Sequence, residues 1–164
     1  AAHEGCLQSS GTTVAILGGG LDKIHPKANY MLSEKIVEKG GVLVSEYPLG
    51  TTPIPPNFVK RNRIQAGLSG GVLLIQAATN SGSIITCEHA LKEGRCLGIY
   101  TPSDGLGGDY SGNELMQSKL DSILISDNQS LHRFFQESNN RYERFQRPPK
   151  TGHFQSGQQT KMDL

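Results

Sequence analysis

The feature that most constrains this chain is a rhythm of short continuous apolar runs separated by helix-length amphipathic segments. The runs are Val14-Ala15-Ile16-Leu17, Val42-Leu43-Val44-Ser45, Val72-Leu73-Leu74-Ile75 and Cys96-Leu97-Gly98-Ile99-Tyr100, with a weaker fifth at Ser122-Ile123-Leu124-Ile125-Ser126. None alternates apolar with polar residues, so each reads as a strand covered on both faces. Helices are predicted over Lys27 to Lys39, where Gly40-Gly41 supplies the stop, and over Arg61 to Leu68, Ser83 to Glu93 and Gly112 to Lys119. Ala1 to Gln8 also reads as helix. The order αβαβαβαβαβ is that of a parallel sheet with crossover helices, an α/β fold.

At 164 residues the chain has room for one ordinary domain. From Asn128 to Leu164 Asn, Gln, Ser and Arg dominate, which predicts one short helix followed by a disordered tail; Arg133, Arg141, Arg144, Arg147 and Lys150 make it basic. The domain is therefore assigned to residues 1–127 and the tail to 128–164. There is no initiating Met, and the chain opens inside a helix, so an N-terminally incomplete fold is expected. Such a fold should expose sheet edge and apolar surface, and either pair with a missing segment or associate. Cys6, Cys87 and Cys96 are too few and too widely spaced for a disulfide framework or a zinc site. No apolar stretch approaches the ~20 residues needed to span a bilayer, and a cytoplasmic setting is expected. With 16 Lys+Arg against 15 Asp+Glu, a nucleic-acid surface must be a local patch.

In an open α/β sheet, ligands bind at the carboxyl ends of the strands. After the first strand, Gly18-Gly19-Gly20 permits either a tight turn or a close backbone approach to a ligand. After the second, a long proline-stiffened connection from Glu46 to Phe58 leads into Phe58-Val59-Lys60-Arg61-Asn62-Arg63 at the predicted start of a helix. An aromatic ring, three cations and free backbone N–H groups there suit a nucleic-acid strand; the alternative is a solvated helix start with Phe58 in the core. After the third strand, Ser81-Gly82-Ser83, with Thr86 beyond, forms either an anion nest or a plain N-cap. The Pro102 to Asp109 loop is expected to act as a mobile lid. Asp22, His25, Glu46 and Glu88 are the nearby titratable groups, and surface positions suit all four. They assemble no nucleophile and base, so the loops look better at binding phosphates than at cleaving bonds.

Gly18-Gly19-Gly20-Leu21-Asp22 with Pro26 and Asn29, then Ser45 to Thr51, Pro56-Asn57-Phe58-Val59-Lys60-Arg61-Asn62-Arg63-Ile64, Gly67-Leu68-Ser69 and Ser81-Gly82-Ser83-Ile84-Ile85-Thr86 resemble, in order, the DNA-processing protein A (DprA, or Smf) family. The resemblance implies a Rossmann-like, three-layer domain with a mostly parallel sheet, here incomplete at its N-terminus. It implies a cytoplasmic single-stranded DNA-binding protein that dimerises and loads the RecA recombinase during natural transformation, without catalysis, cofactor or metal. Carried over by position, Lys60, Arg61 and Arg63 would pair with phosphates and Phe58 would stack on a base. Ser81, Gly82, Ser83 and Thr86 would line the neighbouring anion pocket, with Gly18, Gly19, Gly20, Asn57 and Asn62 shaping the loops.

The chain departs from that pattern in three ways. The strand and Gly-Ser-Arg loop that open the family pattern are absent, Gln76 stands where an acid is usual, and Glu88 would repel a phosphate. A second reading is a nucleotide-binding or nucleoside-monophosphate phosphoribohydrolase-like protein of the same superfamily, echoed by Thr86 and Glu88.

Overall fold

The computed structural model describes residues 1–102, 107–119 and 122–146. The elements run α1 (Ala2–Gln8), β1 (Val14–Ile16), a 3-10 turn (Lys27–Asn29) leading into α2 (Tyr30–Glu38), β2 (Val42–Val44), α3 (Pro55–Leu68), β3 (Gly71–Leu74), α4 (Gly82–Lys92), β4 (Cys96–Tyr100), α5 (Ser111–Gln117), β5 (Ser122–Ile125) and α6 (Asn128–Gln146). All five expected strands are present, each within a residue or two of its apolar run.

Every strand pair is parallel, but the strands form two sheets. In one, Val14 lies opposite Val42 and Ile16 opposite Val44. In the other, β4 lies between β3 and β5, with Gly71 opposite Cys96 and Leu97 opposite Ser122.

The three-stranded sheet is covered on both faces, which explains its unbroken apolar runs. Leu74, Ala77, Ile84, Cys87, Leu97, Ile99 and Met116 make one cluster with α4 and α5, whereas Cys96, Ile125 and Phe134 make another beneath α6. The strand ends are tied by the fully buried Asn113. Its amide nitrogen donates to the Ile75 and Tyr100 carbonyls at 3.0 and 2.9 Å, and its oxygen accepts from the Ala77 N–H at 2.9 Å.

Two expectations need correction. The helix placed at Arg61 begins six residues earlier, at Pro55, because Ile54 is extended and Pro55 and Pro56 occupy the first turn, where a proline loses no intrahelical bond. The short helix expected after Asp127 is 19 residues long. Its polar stretch hides an inward stripe of Leu131, Phe134 and Ser138, three to four residues apart, which packs against the sheet. Asp127 accepts from the Ser130 N–H at 2.7 Å and starts this helix. The remainder of the expected tail, with Arg147 and Lys150, and residues 103–106 of the expected lid loop lie outside the described residues.

Candidate nucleic-acid interface

The early start of α3 changes the Phe58 to Arg63 segment. These residues are in helix interior, where each step turns the side chain by about 100°. Phe58, Arg61 and Asn62 therefore share one face with Asn57 near it, while Lys60 and Arg63 leave from the other side. Burial follows the same division: Asn57 and Asn62 are buried, Phe58 and Arg61 half-buried, and Lys60 and Arg63 exposed. The structure does not bring all three cations beside Phe58, and all three lie beyond the first turn of α3 rather than at its start.

The inward face is tied in both directions. The Arg61 guanidinium donates to the Ile16 carbonyl. Leu17 gives its N–H to Val44 across the β1–β2 pair, so Ile16, one residue earlier, points its carbonyl to the opposite edge of β1. Arg61 thus satisfies an open sheet edge, and burial holds its pKa below the ordinary value. On the other side, the Asn62 amide donates to the Gly82 carbonyl at 3.1 Å, joining α3 to the start of α4.

Phe58 lies under the glycine turn. A Cβ on Gly18 would sit 2.9, 3.1 and 3.3 Å from three adjacent ring carbons, and such nearly equal distances put it over the ring face rather than beyond its edge. A Cβ on Gly19 would come within 2.8 Å of the Thr51 carbonyl and 2.9 Å of Pro53. The turn after β1 is thereby pressed against both α3 and the connection after β2, and only a residue without a side chain fits at these two places. The Arg61 guanidinium carbon lies 5.6 Å from the Phe58 ring centre, within cation–π range.

Polar groups in the connection complete the frame. The Ser45 hydroxyl donates to the Gly19 carbonyl at 2.7 Å, the Tyr47 hydroxyl to the Asn57 carbonyl at 3.4 Å, and the Gly50 N–H to the Asp22 carboxylate at 2.8 Å. That last bond holds the Asp22 pKa below the usual value. The sequence assigned no role to Ser45 or Tyr47; their signal was their place in a motif that otherwise reads as a turn.

Arg63 is ion-paired with Glu46, whereas Lys60 has no ion-pair partner among the described residues. At the start of α4, Ser81 caps the helix by accepting the Ser83 N–H at 3.2 Å, and the Thr86 hydroxyl turns back to the Gly82 carbonyl at 3.5 Å. Gly82 and Ser83 are exposed, as is Glu88 further along α4. Among the described residues no three His, Cys, Asp or Glu side chains converge where a metal ion could sit, and no helix is long and apolar enough to cross a membrane.

Residues 1–134 match the family model for DNA recombination-mediator protein A. The chain is 49% identical over 126 residues to protein Smf of Escherichia coli, covering 77% of this chain and 33% of that protein. It is 50% identical over 95 residues to DNA processing protein DprA of Streptococcus pneumoniae, covering 58% of this chain and 33% of that one. It therefore spans about a third of the length of these curated relatives. The crystal structure of the pneumococcal protein aligns with a TM-score of 0.69 at 37% identity, over 80% of this chain and 46% of that one. A structure of DNA processing protein A from Helicobacter pylori, described for its single-stranded DNA binding mode, aligns at 0.65 and 24% identity over 77% of this chain and 56% of that one, a likeness of fold. With residues 1–134 matched, the chain belongs to the DNA recombination-mediator protein A family.

Proposed function

We propose that this chain is the Rossmann-like portion of a recombination mediator that binds single-stranded DNA and acts by binding rather than by catalysis. The observation that carries the reading is the inward face of α3, where an aromatic ring and a guanidinium lie against a glycine turn, on a chain that matches the family over residues 1–134. Arg61 spends its charge on a neutral carbonyl. A phosphate in that place would set a full negative charge against the guanidinium and offer it two parallel N–H···O bonds. Lys60 supplies an uncommitted cation, Arg63 a third once it leaves Glu46, and Gly82, Ser83, Ser81 and Thr86 a neighbouring polar rim. RecA loading, homodimerisation and a cytoplasmic setting belong to the same proposal, by analogy with the family.

The test is binding of a labelled oligothymidylate by the 164-residue chain. Arg61→Ala and Lys60→Ala should each weaken binding about tenfold, given ~1.5 kcal/mol for a bond to a charged group, and affinity should fall with rising salt as phosphate contacts release counterions. Affinity independent of salt and unchanged by both substitutions would sink the proposal.

A further inference from the structure

Phe58 is poorly placed to be the principal stacking surface: one ring face lies under Gly18, Arg61 sits 5.6 Å from its centre, and the residue is half-buried. The neighbouring ring is His25, whose centre lies 5.8 Å from that of Phe58 with the planes inclined at 46°. Two rings at that inclination meet as a corner rather than a stack. His25 is exposed, and it follows the glycine turn that lies against Phe58.

Resting on the single-stranded DNA reading, we infer that His25 is the ring on which an unpaired nucleobase stacks, with Phe58 as its apolar backing. Two features of the place fit a nucleotide rather than an isolated aromatic ligand. Arg61 lies 5.6 Å from the centre of the same Phe58 ring and carries charge for the backbone. Stacking needs only a π-face, so an imidazole serves any base with little sequence preference. Among the described residues no hydrogen bond engages the His25 side chain, and its contact with Phe58 leaves the residue exposed.

The deciding experiment compares oligothymidylate with an abasic oligonucleotide of equal length, which keeps the phosphates and removes the rings. His25→Ala should weaken oligothymidylate binding about fivefold or more, in line with one lost base–aromatic stack, and leave abasic binding unchanged. His25→Phe should keep the affinity, because the ring rather than the charge is used. If His25→Ala binds oligothymidylate as the unaltered chain does while Lys60→Ala binds it more weakly, this inference fails and the DNA-binding reading stands. Equal losses on both oligonucleotides, or no rescue by His25→Phe, would overturn it in favour of an electrostatic or structural role. If the unaltered chain binds no oligothymidylate, both readings fail together.

Discussion

The two sheets of this molecule are built from similar strands and carry very different cores. Around β3, β4 and β5 the fully buried set includes Leu97, Ile99, Met116, Cys87, Cys96 and Asn113; among the described residues around β1 and β2, Ile36 is the one large side chain buried as deeply. The same side leaves Val14, Leu21, Tyr30, Met31, Val37, Val42 and Leu49 substantially exposed. The cause is coverage. The three-stranded sheet lies between α4 and α5 on one face and α6 on the other, whereas β1 and β2 have α2 and a limited contact with α3. Close packing is thus concentrated in one half, and the glycine turn, His25 and the Glu46 to Ile54 connection lie in the other. Helix α3 joins them, through Arg61 to β1 and through Asn62 to α4.

The contrast breaks most visibly in stability. Leu97→Ala should cost about 3 kcal/mol, the cost typical of a cavity in a close-packed core, and Val37→Ala, at a residue 54% exposed, under about 0.5 kcal/mol. Chemical denaturation measures both, and similar losses would show the halves to be equally packed. Asn62→Ala should have an intermediate effect, about 1 kcal/mol, because it removes the hydrogen bond by which a buried amide joins α3 to the start of α4. A loss no larger than that of Val37→Ala would mean that α3 does not rely on this bond to join the halves.

The gentlest probe is thiol reactivity. Burial first, with the Glu88 charge second, pushes the Cys87 thiol up to about 11, and burial also raises Cys96. Cys6 is half-buried on α1. At pH 8 a disulfide reagent should label Cys6 in the folded chain and reach Cys87 and Cys96 only on unfolding, because the thiolate is the reactive form and both buried thiols remain protonated and covered. Labelling of Cys87 as fast as Cys6 would show that the well-packed half opens readily.

The sequence made the strands legible because burial on both faces leaves an unmistakable mark on composition, as at Cys96 to Tyr100. It also made the family legible, since the glycine turn, the Asn57 to Arg63 segment and the Ser81 to Thr86 turn survive as ordered local strings. The helical start at Pro55 was hidden by prolines that read as loop, and the stripe of α6 was hidden by its many polar residues. Both are cases in which a minority of inward positions decides the structure.

Local patterning by itself determined the α/β order, the parallel strands and the residues available for binding, because periodicity and turn chemistry act over a few neighbours. Which of those residues face one another was decided only by tertiary structure. The roughly 100° turn per residue within α3 sends Phe58 and Arg61 inward and Lys60 and Arg63 outward. A long-range approach of the turn after β1 then sets His25 beside Phe58.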